Sequence, residues 1–272
     1  MIANLRSEQR EAIFQAVRAM YTQVARLPDK VFHFPTGRAA CIFVGYPEAQ
    51  LDAIPSSAVE SFAGVGYPFA VKAIHEGNRV LDVGSGSGTD ALLASILAGP
   101  RGKVWGVDMT VAMLSKAQAN AAKIGTGHVE FREGNAEQIP LPDAVVDVVT
   151  SNGVLNLVPN KPGTFAEIYR VLRPGGRIQI SDIVLDQPIL ARFRENPQLW
   201  AECIVGAVLE SEYQEMLDAA GFQDLEVIGS LDYFAKSSDP DTKRVAALYG
   251  AKSVTLKGRK PEAIPKVSHV GG

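Results

Sequence analysis

From Arg79 to Leu185 the chain repeats a single theme. Short apolar runs alternate with stretches of helical length that end in helix stops. The apolar runs are "RVLDV", "KVWGVD", "HVEFRE", "VVDVVTS" and "RIQISDIVL". The helical stretches are "TDALLASILA", broken by Gly99-Pro100, "TVAMLSKAQANAAKIG", ending at Gly125, and "TFAEIYRVLRPGG", with its Pro-Gly-Gly stop. Parallel strands need crossover connections and helices on both faces, so this rhythm predicts a doubly wound α/β sheet. After Asp186 come a helix, "SEYQEMLDAAGF", a strand, "QDLEVIGS", a short helix, "DTKRVAALYG", and a last strand, "AKSVTLKG". The two late strands extend the far edge of the sheet and bring the expected total to seven.

Before the sheet, residues 8 to 27 read as one amphipathic helix. Ile13, Val17, Met20, Val24 and Leu27 recur at steps of four and three and share a face. Ser7 is the expected N-cap, Glu8 and Glu11 suit the positive helix start, and Pro28 marks the end. The Pro- and Gly-rich stretch that follows reads as loops and short helices. The expected organisation is an N-terminal cap over the active site (1–75), a cofactor-binding core (76–190), and substrate-side helices with the final strands (191–272).

Composition narrows the function classes. Lys plus Arg is 27 against 30 for Asp plus Glu, a net charge of −3, which argues against a nucleic-acid partner. No apolar run reaches the length of a membrane span, about 18 residues, and none at the N-terminus has signal-peptide form. Two cysteines, Cys41 and Cys203, make no disulfide framework and suit a reducing cytoplasm. No metal site is expected. The implied partner is a small molecule.

The stretch "VLDVGSGSGTD" places Gly84, Ser85, Gly86 and Gly88 between the first strand and the first helix. Glycine lets a ligand approach the backbone there, and helix-start N–H groups are polar anchors. Asp108 ends the second strand, twenty residues past Gly88, where a carboxylate can take both hydroxyls of a ribose. NAD and S-adenosylmethionine both carry that ribose. Dinucleotide loops favour G-x-G-x-x-G, and Thr89 stands where the last glycine would be. Asp82, beside the loop, would repel a pyrophosphate and suit a cationic amine or sulfonium. S-adenosylmethionine is therefore the expected cofactor, with an NAD(P)-dependent oxidoreductase as the alternative of another class. "GNAEQIP" follows the third strand, where Asn135 could serve an adenine amine or simply make a turn, and Ala136 could offer its N–H. Met109 could pack on the adenine or belong to the core. Asn152, at the end of the fourth strand, is the expected polar contact near the methyl donor.

The blocks "VLDVGSGSGTD", "GVDMT", "SNGVLNLVPNK", "YRVLRPGGRIQISDIV" and "CIVGAVLESEYQEMLDAAGF" together resemble the class I S-adenosylmethionine-dependent methyltransferases, and within them the arsenite methyltransferases. The resemblance runs from about Ser61 to Val227. It implies a Rossmann-like sheet of seven strands with the last strand antiparallel. It also implies cysteine thiolates for trivalent arsenic, and here the chain departs from the family. Cys203 holds one family position, in "CIVGA". Gly153 stands at a second, and Val65, in "FAGVG", at a third. Cys41 matches none. A metalloid site normally needs two or three sulfurs. Cys203 is then either a substrate-side ligand or a small buried hydrophobe.

In-line methyl transfer asks mainly for alignment and exclusion of water, and a soft acceptor needs little base assistance. His75, His128 and His269 are not placed to serve as a base. His33, in "FHFPTGR", and Arg38 could face a substrate, with a packed loop histidine and a solvated arginine as the plainer readings. The expected function is methyl transfer to a small-molecule acceptor. The alternative within the family is arsenite methylation using Cys203 and external thiols.

Overall fold

The computed structural model describes residues 5–190, 193, 196–201 and 204–263. Its sheet has seven strands: β1 (Arg79–Val83), β2 (Lys103–Asp108), β3 (Val129–Glu133), β4 (Val146–Asn152), β5 (Leu172–Val184), β6 (Gln223–Leu231) and β7 (Lys252–Arg259). The order across the sheet is β3-β2-β1-β4-β5-β7-β6. The first five strands are parallel, and β7 runs antiparallel between β5 and β6. The sheet changes direction of winding at β1 and β4, so the crevice beyond their carboxyl ends is where an open α/β sheet binds its ligand.

Helices α5 (Thr89–Ala98), α6 (Val111–Ile124) and α7 (Lys161–Val171) cross between the parallel strands. Before the sheet come α1 (Ser7–Arg26), α2 (Gly37–Phe43), α3 (Glu48–Asp52) and α4 (Ser56–Val59). Later helices are α8 (Pro197–Ala201), α9 (Glu210–Ala219) and α10 (Pro240–Tyr249). Two apolar clusters cover the two faces of the sheet. Val80, Leu92, Val104 and Ala117 belong to one, together with the cap; Leu81, Val149, Phe165 and Ile180 belong to the other. Successive residues of β1, Val80 and Leu81, thus face opposite sides, as strand geometry demands.

Local readings change in three places. The N-cap of α1 is Arg6, not Ser7, because the Gln9 side chain accepts the Arg6 N–H at 2.9 Å. Leu27 lies past the helix end and is 52 % exposed, while Phe14 is buried on the inward face. The stretch "LRPGG" is not a helix end. α7 starts earlier, at Lys161 with Asn160 as its cap, and Leu172 already pairs with Val146 as the first residue of β5. Pro174 cannot continue a helix but is tolerated at the start of a strand.

Candidate functional site

A pocket with an empty volume of about 910 Å³, open solvent at its mouth included, lies at the carboxyl ends of β1, β2 and β4. Its floor contains Asp82, Gly84, Ser85, Gly86, Asp108, Met109, Asn135, Ala136 and Asn152. Phe14, Val17 and Tyr21 of α1 line it from the cap side. Nine of the ten residues expected at a cofactor thus meet in one cavity. Gly88 does not line it. It takes φ +94° as the N-cap of α5, and a Cβ there would sit 3.1 Å from the Phe131 ring and 3.4 Å from Ala117. Its role is to let α5 start close against α6 and β3.

Gly84 shows why this loop tolerates no side chain. At φ +75° a Cβ would reach within 2.2 Å of Val154 Cγ2. The Gly84 and Ser85 N–H groups donate to Val107 O at 2.7 and 3.1 Å, tying the loop to β2. Asp108 completes the cradle. Its Oδ2 accepts the Gly86 N–H at 2.9 Å and its Oδ1 the Thr110 N–H at 2.8 Å. Burial pushes this carboxyl up, and the backbone donors pull it back. The Thr110 hydroxyl and the Met109 N–H add to these donors, so the carboxylate is held firmly at the pocket wall.

Asp82 is 1 % exposed, and its Oδ2 has no hydrogen-bond partner. Burial raises its pKa strongly, and the nearby Asp90 and Asp108 add to the rise, while the Ala91 N–H opposes it. Asp90, in the first turn of α5, also lines the pocket. Burial lifts it to about 6 against the pull of Tyr46 and Asn152. The Tyr46 hydroxyl donates to Asp90 Oδ1 at 2.5 Å, and Asn152 Nδ2 lies 3.1 Å from Asp90 Oδ2. Sequence reasoning passed over both residues. Asp90 lies in the quoted loop, where the sequence reading gives it no role, and Tyr46 carries no local signal at all.

Asn152 is a structural hub at the pocket wall. Its Oδ1 accepts the Val65 and Gly66 N–H groups at 2.8 and 3.1 Å, and its Nδ2 is 2.9 Å from Gly66 O and 3.0 Å from the Tyr46 hydroxyl. Its amide is therefore spent on positioning the 64–66 loop. Asn135 makes a turn, accepting the Glu137 N–H at 3.0 Å, and still lines the pocket. Ala136 is buried and Met109 half-buried in the same wall.

The remaining candidates fall elsewhere. Cys203 and His269 lie outside the described residues. Cys41 is buried in α2, and burial pushes its thiol well above the usual range. His33 stacks edge-on against Phe34 at 4.7 Å and does not line the pocket. Arg38 is paired on the surface with Glu48 and Asp52. His75 is exposed, and His128 contacts Thr126 and Ser95 O. Val65 and Gly153 do adjoin: a Cβ on Gly153 would be 3.0 Å from Val65 Cγ1.

The residues present fit S-adenosylmethionine. Asp82 Oδ2 and Ser85 Oγ are buried pocket atoms that lack partners. Three carboxylates line the pocket, at Asp82, Asp90 and Asp108, and no Lys, Arg or His is among the described lining residues. These carboxylates oppose a pyrophosphate, whereas a cationic amino-acid end is welcome, which sets the dinucleotide alternative aside.

Known proteins agree. A methyltransferase domain model matches residues 74–221. An arsenite methyltransferase of Halobacterium salinarum is 43 % identical over 198 residues, 73 % of this chain and 50 % of the relative. The chain thus spans about half the length of such relatives. A demethylmenaquinone methyltransferase of Geobacillus kaustophilus is 31 % identical over 176 residues, 57 % of this chain and 74 % of the relative. The crystal structure of an arsenic(III) S-adenosylmethionine methyltransferase from Chlamydomonas reinhardtii superposes with a TM-score of 0.67 at 33 % identity, covering 80 % of this chain and 74 % of that one. With its glycine turn, the Asp108 carboxylate at the end of β2 and these relatives, the chain belongs to the methyltransferase domain family, among the class I S-adenosylmethionine-dependent methyltransferases and close to the arsenite methyltransferases.

Proposed function

We propose that this protein transfers a methyl group from S-adenosylmethionine to a small, soft or carbon-centred acceptor that is not held by a three-thiol site. The observation that carries this reading is the Val65–Gly153 contact, apolar where the resembling family has cysteines. The bound cofactor supplies an electrophilic methyl on its sulfonium. Asp108 holds the ribose, the Gly84–Gly86 turn supports the amino-acid end, and Phe14, Val17 and Tyr21 exclude water. Asn152 fixes the 64–66 loop as one wall of the acceptor space. The described lining contains no histidine or lysine, and this reading assigns its carboxylates to the cofactor, which favours an acceptor that attacks without a base. We place the cap at 1–75, the cofactor core at 76–190 and the substrate side at 191–272. The scarcity of cysteines and the free thiol of Cys41 support a reducing cytoplasmic setting.

A second reading is arsenite methylation with Cys203 and external thiols. The 43 % identity to a protein named for that activity favours it. The two readings separate in an assay with labelled donor. One arm contains arsenite and glutathione, and the other contains small organic thiols and quinols. Label moving to an organic acceptor and not to arsenic supports the first reading. Methylated arsenic from the wild type, lost in Cys203→Ser, establishes the second.

A further inference from the structure

The pocket is lined by two neighbouring buried carboxylates, Asp82 and Asp90, and no Lys, Arg or His is among its described lining residues. Asp82, at the end of β1, is 1 % exposed, and Asp90, at the start of α5, is 6 % exposed. Asp82 accepts the Ala91 N–H, so its carboxyl group reaches the first turn of the helix that carries Asp90. Its other oxygen lies in the pocket wall with no partner. A buried acceptor of this kind is expensive unless a ligand completes it.

We propose that Asp90 joins Asp82 to form a two-carboxylate seat for the α-ammonium group of the cofactor, and that the pair gives up a proton when the ammonium arrives. The inference rests on the S-adenosylmethionine reading of the pocket. Two adjacent buried carboxylates do not both ionise readily, so the empty pair retains a proton near neutrality. The groups facing the pair are named by the geometry. Asp108 adds negative charge beside Asp82. Tyr46 and Asn152 donate to Asp90, while Cys41 and Tyr67 lie within its electrostatic reach. None of these described groups is cationic, so the positive charge at this seat comes with the ligand. The ammonium lowers both pKa values and the shared proton leaves to solvent. Tyr46 keeps Asp90 aimed inward, and Asn152 links the same carboxyl to the 64–66 loop.

The test is calorimetry on the full chain at pH 6.5, where an α-amino group stays protonated. It uses buffers of low and high ionisation enthalpy. The ligands are S-adenosylhomocysteine, S-adenosylmethionine and 5′-methylthioadenosine, which lacks the amino-acid end. Both adenosyl amino acids should release roughly 0.5 to 1 proton, and methylthioadenosine none. Asp90→Asn leaves Asp82 buried and still able to carry a proton, so the release should fall but persist while S-adenosylhomocysteine weakens by about tenfold or more and methylthioadenosine stays within about twofold; Asp82→Asn combined with Asp90→Asn should release none. Equal proton release by all three ligands would overturn the seat, as would none. Release with S-adenosylmethionine but not with S-adenosylhomocysteine would assign the pair to the sulfonium instead and overturn the proposal. If no adenosyl ligand bound at all, the cofactor reading itself would fail, a result separate from binding without proton release.

Discussion

Val65 packs directly on Gly153, with Val65 Cγ1 3.0 Å from where a Gly153 side chain would begin. The two positions at which the resembling family carries thiols are thus neighbours in space, although they lie 88 residues apart in sequence (153 − 65). Side chains at these two positions can meet, and neither residue present carries a thiol.

Restoring one thiol should therefore change the chemistry more than the fold. Val65→Cys removes little volume from a buried site and should leave the melting temperature within a few degrees, a cost of about 1 kcal/mol. Arsenite retained by the protein after desalting should rise well above the wild-type level. Gly153→Cys is harder to accommodate. At φ +73° with Val65 in contact, it should cost about 1–3 kcal/mol in urea unfolding. Unchanged arsenite retention in Val65→Cys would show that this face is not the acceptor site.

Asp108→Ala leaves the Gly86 and Thr110 N–H groups without their acceptor and removes the ribose anchor. Affinity for S-adenosylhomocysteine should fall by about 10- to 100-fold, and calorimetry measures it directly. Asp108→Asn keeps one acceptor oxygen and should fall between the two. A Kd for Asp108→Ala equal to the wild type would remove Asp108 from the binding site.

Gly84→Ala drives a methyl group into Val154 and strains a positive φ. Urea unfolding should show a loss of about 2–4 kcal/mol. Adding Val154→Ala should recover the steric part and leave the backbone part. A double variant no more stable than Gly84→Ala would show that Val154 is not the obstacle.

Asp182 predicts a pH dependence of stability. It is buried at the end of β5, accepts the Asn156 N–H at 2.9 Å and the Tyr213 hydroxyl at 3.0 Å, and burial raises its pKa to about 7. A carboxyl group whose folded pKa lies above its unfolded one binds more protons when folded. Its contribution is then complete below pH 4 and is lost as pH rises toward 7. Asp182→Asn cannot ionise, so its stability relative to wild type should improve by about 1–3 kcal/mol between pH 5 and pH 8. Parallel stability curves for the two proteins would refute the assignment.

Helix α1 is tied to the cofactor wall by an ion pair between Arg10 and Glu137, and Glu137 also accepts the Asn160 N–H at 2.9 Å. The pair sits just after Asn135 and Ala136, under the face that presents Phe14 and Val17 to the pocket. Arg10→Ala should speed release of S-adenosylhomocysteine by about two- to fivefold in stopped flow, with high salt reproducing part of the effect in the wild type. Equal release rates would mean that α1 does not gate the pocket.

The alternating strands, the glycine turn, the carboxylate at the end of β2 and the pocket floor from Asp82 to Asn152 were all legible in the sequence. Each rests on a local rule: a strand period, a helix stop, a turn that only glycine can take, or a loop at a strand end. Gly88 shows the limit even there, since the motif marks a glycine but not whether a ligand or a helix needs the space. Tertiary structure alone decided how distant segments meet. Asn152 reaches Asp90 across 62 residues and the Tyr46 hydroxyl across 106, and it holds the Val65 N–H across 87. The insertion of β7 between β5 and β6 and the approach of Asp82 to the helix turn that carries Asp90 are of the same kind. No local pattern encodes them, because each depends on which surfaces the packed sheet brings together and on how much charge that packing takes out of water.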